Sequence, residues 1–182
     1  STWIRGFEQK KTGWPWHPYT AAERAINIID FSRKHRTPGN LDETVSILKK
    51  HAEFILSNLE YYGDHNTSNH LSNNGRGLLR IGTAIGSAFY AETGSKIMIA
   101  EAKQIFGPSG VLREGSTHYH VLLTKNYIDA WLDAKTANMS EAKYLQKIAT
   151  KAMSIIPALN LPAGFPLVGD ISPDAPPSYL RK

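Results

Sequence analysis

Apolar residues recur every three or four positions through most of the chain, with polar residues between them. That period predicts amphipathic helices. WPWHPY (14–19) is Pro-punctuated and reads as an extended lead-in. TAAE (20–23) reads as a capping box, with Thr20 as cap and Glu23 three residues on; it opens a helix to about 36 carrying Ala25, Ile28, Ile29 and Phe31. PGN (38–40) stops that helix. Asn40 with Glu43 opens a second, to about 61, with Val45, Leu48, Ala52, Ile55, Leu56 and Leu59 at helical spacing. The polar link GDHNTSNH (63–70) leads into a third helix over 69–90, rich in Gly75, Gly77, Gly82, Ala84 and Gly86. Small residues there suit close helix contact and lower intrinsic helix stability. A fourth helix is predicted over 95–106, ending at Gly107-Pro108. A fifth is predicted over 117–135, with Leu123, Tyr127 and Trp131 on one stripe, and Ser140 caps a sixth to about 156. The tail 157–182 is Pro-rich and reads as irregular.

No strand period competes with this pattern. The expected fold class is all-α: antiparallel helical hairpins joined by short loops, forming a bundle or an arc of a larger ring. The 182 residues, 41% of them apolar, support one domain with one core. There is no Cys, which excludes disulfides, zinc–thiolate sites and a cysteine nucleophile. No apolar run approaches the roughly 18 residues that a membrane-spanning helix needs. No signal peptide is visible, and the start at Ser1-Thr2 without Met reads as part of a longer natural product.

Charge changes the picture modestly. Lys and Arg number 21 against 16 acidic residues, a net charge of +5. The excess is uneven: residues 1–36 hold Arg5, Lys10, Lys11, Arg24, Arg33, Lys34 and Arg36, interleaved with Trp3, Trp14, Trp16 and Tyr19. Cations among aromatic rings suit nucleic acid or an acidic sugar polymer, and equally a basic, solvated end with a few core aromatics. No basic recognition helix appears, so nucleic acid is not an expected partner.

Two polar stretches carry the candidate chemistry. The first holds His65, Asn69, His70, Asn73, Asn74 and Arg76; the second is REGSTHYH (113–120). Each enters a helix, and the two helices lie two apart in the chain. If hairpins pack side by side, alternate helices run parallel and both starts face the same end. Asn69, His70 and Tyr119 would meet there beside partly positive helix N-termini, a place suited to an anion.

Such a set suits β-elimination on a uronic acid. The C5 proton is hard to remove because the carbanion forms beside a carboxylate. Donors such as Asn, His and Arg stabilise the enolate-like intermediate by neutralising that group. Tyrosine can act as base, as acid on the departing O4, or as both. Each part also has a structural reading: Asn as helix cap, His as a hydrogen-bonded scaffold residue, Tyr119 as packing, Arg113 paired with Glu114. His118 and His120 point to opposite sides of a helix, and no HExxH or carboxylate–histidine spacing supports zinc, so no metal or cofactor is expected.

The residues that carry this chemistry also resemble a known family. SNHLSNNGRGLLRIG (68–82) resembles the Asn-His helix of the heparinase II/III-like polysaccharide lyases. GVLREGSTHYHVLLTKNYIDAWL (110–132) resembles their second motif, Glu-x-Ser-x-x-Tyr-His before a helix, here Glu114, Ser116, Tyr119 and His120. WHPYTAAERAINIIDF (16–31) and PLVGDISPDAPPSYL (166–180) are similar to the branch found in bacterial surface-polysaccharide gene clusters.

The resemblance implies an incomplete α/α toroid followed by antiparallel β-sandwich domains. It implies cleavage of heparin, heparan sulfate or alginate by β-elimination. Tyr119 would be the catalytic acid and often the base, with Asn69 and His70 on the uronate carboxylate. Arg76, Arg113 and His120 would support them, and Glu114 would orient an Arg. Trp14, Trp16, His17 and Arg24 are candidates for sugar subsites. The chain stops where the β-sandwich of such lyases would begin, so it is expected to be a fragment whose cleft the C-terminal β-sandwich of the parent chain completes, and uncovered helix faces are expected to favour self-association. The expected location is periplasmic or secreted, with the cytoplasm as the alternative. The rival reading is a non-catalytic acidic-glycan-binding or assembly protein of a surface-polysaccharide pathway.

Overall fold

The computed structural model describes residues 13–37, 39–63 and 69–171. Trp3 and the first cations of the basic end, the polar residue His65, and the tail beyond 171 lie outside the described residues. Six helices occur among them: α1 (Pro18–Lys34), α2 (Leu41–Ser57), α3 (Asn69–Ile85), α4 (Ala88–Ile105), α5 (Thr117–Thr136) and α6 (Ala142–Met153). Single 3-10 turns, Trp14–Trp16 and Ile156–Leu159, flank them. The β contacts among the described residues are two isolated bridges, Phe106 with Leu112 and Leu161 with Gly164. The fold is all-α, built of antiparallel helical hairpins that form part of an α/α toroid. No described helix is long and apolar enough to cross a membrane.

The core lies on both sides of α3. On one side Leu78 and Ile81 pack with Ala21, Ala22, Ala25 and Ile29 of α1 and Leu48, Ala52 and Ile55 of α2. On the other, Leu79 packs with Ala91 and Met98 of α4, Leu123 and Tyr127 of α5, and Leu145 and Ala149 of α6. A helix shared by two cores has little room for a polar face, and α3 is buried almost all round. Its glycines answer that demand. A Cβ on Gly94 of α4 would sit 2.3 Å from the Leu79 nitrogen, and one on Gly82 would sit 2.2 Å from the Ala91 nitrogen. The α3 and α4 backbones therefore touch where side chains would keep them apart.

Cross-helix pairs fix the directions. Asn73, Arg76 and Arg80 of α3 meet Tyr19, Glu23 and Asp30 of α1 in ascending order. Ser72 and Arg80 meet Tyr127 and Asp133 of α5, again ascending. Thus α1, α3 and α5 run parallel, as alternate members of a hairpin series must, and present their N-termini at one end.

Several boundaries differ from the sequence reading. The capping box at Thr20 does not form: α1 begins at Pro18, its N-cap is His17, and Glu23 turns instead to Arg76. Proline at the first helical position is pre-shaped for that role. α2 stops at Ser57, where Asn58 leaves helical geometry. The third helix ends at Ile85 and the fourth starts at Ala88, because Gly86 adopts φ +71° and the Ser87 N–H closes back on the Gly82 carbonyl at 2.8 Å. Gly94, just before the predicted start of the fourth helix at 95, sits inside α4 for the packing reason above. Ser140 does not cap α6: its hydroxyl goes to the Glu141 carboxylate, and the helix opens at Ala142. Asn40 does cap α2, accepting the Asp42 N–H at 2.9 Å.

Candidate active site

The shared end of α1, α3 and α5 gathers His17 and Tyr19, Asn69, His70, Asn73 and Asn74, and Tyr119. At its centre is a residue the sequence reading passed over. Glu60 follows α2 in the link and is 4% exposed. Its backbone N–H donates to Asn74 Oδ1 at 2.9 Å, and Asn74 Nδ2 donates back to Glu60 Oε2 at 3.0 Å. Fully buried Asn74 thus clamps both ends of one residue. The other carboxylate oxygen, Oε1, lies 2.7 Å from His70 Nδ1 and 3.5 Å from His17 Nε2. A carboxylate on Nδ1 makes that nitrogen the protonated one and fixes the ring's orientation.

Two phenols stand at this end. The Tyr19 ring lies 4.9 Å from the His70 ring. Burial pushes the Tyr19 hydroxyl up to about 12, helped by Glu23 and opposed by Arg76; Tyr119 and Glu60 are close enough to add to the rise. Tyr19 therefore stays a neutral donor at working pH. Tyr119 is partly buried at the first turn of α5. Its N–H donates to Ser116 Oγ at 3.0 Å, and the same hydroxyl donates to the Asp170 carbonyl at 2.6 Å. Thr117 is tied likewise, its N–H to the Val168 carbonyl and its hydroxyl to that of Pro166. The irregular tail thus returns to brace the helix start that carries Tyr119.

The remaining predicted residues separate into those at the cleft and those behind it. Asn69 is the first residue of α3, partly exposed beside His70. Arg76 is one layer deeper, bonded to Glu23 at 2.7 Å and Asn73 at 3.3 Å. Trp14 is exposed and its ring lies 5.4 Å from that of His17; both line an open groove with Pro18, Glu60 and Tyr62.

Trp16 and Arg24, expected at sugar subsites, instead hold the lead-in to the body. Trp16 is buried against Phe54 and His51, although its edge reaches the groove. Arg24 donates to the Pro15 carbonyl and to His51 Nε2, and lies over the Trp16 ring.

The REGSTHYH motif divides the same way. His120 is buried; its Nε2 donates to the Ala152 carbonyl at 3.0 Å and its Nδ1 accepts the Leu112 N–H at 3.3 Å. It staples α5 to α6 and the preceding loop, and does not join the cluster. Arg113 and Glu114 are exposed, and Arg113 lines a different, mostly apolar groove with Lys103, Phe106, Tyr144 and Lys147.

Glu60 was hard to find because the helix pattern carries it as one more polar residue of α2. The Tyr19 signal was there, an aromatic before a helix start, but nothing local separates it from packing.

Comparison with known proteins agrees with the helical fold. The crystal structure of heparinase III superposes with a TM-score of 0.74 at 18% identity, over 88% of this chain and 26% of that one. Heparan sulfate lyase HepC from Pedobacter heparinus gives 0.69 at 19% identity, over 93% of this chain and 28% of that one. The chain thus spans little more than a quarter of these lyases. No curated protein sequence matches it. Residues 8–174 match the family described as the heparinase II/III N-terminus. The chain belongs to the heparinase II/III N-terminal family.

Proposed function

We propose that this domain carries the helical half of a polysaccharide lyase site that cleaves a uronate-containing polymer by β-elimination. What supports the reading is that Asn69 and His70 lie in the first turn of α3 and Tyr119 in the first turn of α5, two parallel helices whose N-termini share one end. The Asn69 amide and the His70 ring receive the uronate carboxylate and spread the charge of the enolate-like intermediate. With Nδ1 held by Glu60, it is Nε2 that addresses the sugar. Protonated, it donates to the carboxylate; neutral, it is placed to take the C5 proton. Tyr119 delivers a proton to the departing O4 and serves as base where His70 does not. Its neighbour Tyr19 cannot take the base role, because burial keeps its phenol protonated. The groove between Trp14, His17 and Tyr62 offers aromatic faces to flanking sugars. In this reading His120 is a staple behind the site, Arg113 lines another groove, and Arg76 acts through Asn73 and Glu23.

The test is elimination itself. The chain, and any longer natural form of it, is incubated with heparan sulfate, alginate, hyaluronan and polyglucuronate, and the ultraviolet absorbance of the new C4–C5 double bond is followed. A signal that disappears in Tyr119→Phe supports the reading. Polymer binding without unsaturated product, unchanged in Tyr119→Phe, replaces it with a non-catalytic glycan-binding role.

A further inference from the structure

The histidine spacing in the chain gives no metal motif, yet the fold joins three potential ligands from separate positions. One ligand atom from each of His17, Glu60 and His70 lies within 4.8 Å of the other two. They come from the cap of α1, the α2–α3 link and the first turn of α3, so no local pattern could show them. We infer that these residues form a site for a first-row divalent metal ion of the zinc type, bound by two imidazoles and one carboxylate.

Three observations support it. The first is donor chemistry: imidazole and carboxylate suit zinc and its neighbours, and two histidines with one carboxylate leave a fourth position for water or a ligand. The second is spacing. Around a tetrahedral zinc with bonds near 2.1 Å, neighbouring ligand atoms stand about 3.4 Å apart. The Glu60–His17 separation of 3.5 Å meets that value, and the Glu60–His70 separation of 2.7 Å must open by a side-chain rotation. The His70 side chain is 45% exposed and that of His17 33% exposed, so once the ion replaces the proton between His70 and Glu60 the rings can turn on their solvent side. The third is support. Metal-binding carboxylates are held by outer hydrogen bonds, and the Asn74 amide holds the oxygen of Glu60 that faces away from the histidines. Without metal, the His70 N–H donates to Glu60; the ion takes that proton's place and the proton leaves to solvent.

Binding of the ion stands apart from the lyase reading. Its consequence rests on that reading: an ion on His70 Nδ1 draws the ring away from its catalytic orientation, and zinc then opposes elimination.

Calorimetric titration of the metal-stripped chain with ZnCl₂, and with CoCl₂ followed by visible absorbance, tests the site without any turnover. The expected result is one saturable ion per chain and a cobalt d–d band. Both are lost in His17→Ala, a substitution at a partly exposed residue that the core does not need. Asn74→Ala, checked for folding by circular dichroism, should weaken binding about 10–100-fold. No saturable uptake, or uptake that His17→Ala leaves unchanged, overturns the proposal while leaving the lyase reading intact. Zinc that binds in the expected way to a chain whose longer forms never cleave polymer sustains the metal site and removes the lyase reading.

Discussion

His70 and His120 both sit in the first turn of a helix, both follow a polar stretch, and both belong to motifs that look catalytic. The fold gives them opposite positions. His70 is nearly half exposed, with one nitrogen on a buried carboxylate. His120 is 2% exposed and spends both nitrogens on main-chain groups. A side-chain partner leaves a ring oriented and addressable; two backbone partners turn it into a staple. The residue type and its place on the helix do not separate the two cases. What separates them is the identity of the partner, and partners come from elsewhere in the chain.

The largest expected effect sharpens that contrast at the next residue. Tyr119 projects from the same turn as His120 but is only partly buried, and the proposed function assigns it to the cleft. In any form of the protein that turns over polymer, Tyr119→Phe should cut elimination by about 10²–10⁴-fold, the usual worth of a positioned acid–base group. The thermal midpoint should stay within a degree or two of the parent. A large loss of stability instead would place the hydroxyl in the scaffold and align Tyr119 with His120.

His120→Ala is the reverse experiment. It strands the Leu112 N–H and the Ala152 carbonyl, and a buried group left without its partner costs about 1–3 kcal/mol. Chemical denaturation should therefore show a clear loss of stability. The activity of the fraction that stays folded should be unaltered. Activity lost ahead of stability would return His120 to the site and break the comparison.

Ser116→Ala falls between the two. Its hydroxyl caps α5 through the Tyr119 N–H and also reaches Asp170, so both the helix start and the tail depend on it. Loss of a cap costs about 1 kcal/mol. Limited proteolysis near 160–171 should quicken, and any elimination should fall less than in Tyr119→Phe.

The helices were legible because each buries one stripe, and burial writes its period into the sequence. The α3–α4 corner was misplaced because Gly86 and Gly94 look alike in sequence. One ends a helix at positive φ, and the other lets two backbones meet. Asn69, His70 and Tyr119 were legible at one end because alternate helices of a hairpin series run parallel. Glu60 was not, since its role depends on α2 ending at Ser57 rather than at 61, which turns the carboxylate inward. Trp16 and Arg24 were read toward solvent because an aromatic–cation pair in a Pro-rich lead-in looks the same whether it binds sugar or clasps a core.

The smallest expected effect is the dependence of stability on pH, and it probes the His120 staple without a change to the cleft. Burial lowers the pKa of His120 below its usual value, and the hydrogen bond to Ala152 only partly offsets this. Nδ1 accepts the Leu112 N–H, so a proton placed there would face another proton. His51 shares the direction: burial lowers it, and its Nε2 accepts from Arg24. Because the folded values are depressed, the unfolded chain binds protons first. The stabilisation is then full above the unfolded value, near 6.5, and is lost as pH falls through the folded values. Thermal midpoints should therefore decline from pH 7.5 toward pH 5. The decline should be shallower in His120→Asn, whose amide can keep one of the two main-chain bonds without titrating. A slope that His120→Asn leaves untouched would mean that protonation is absorbed elsewhere, and that the staple at α5 tolerates a charge its hydrogen bonds should refuse.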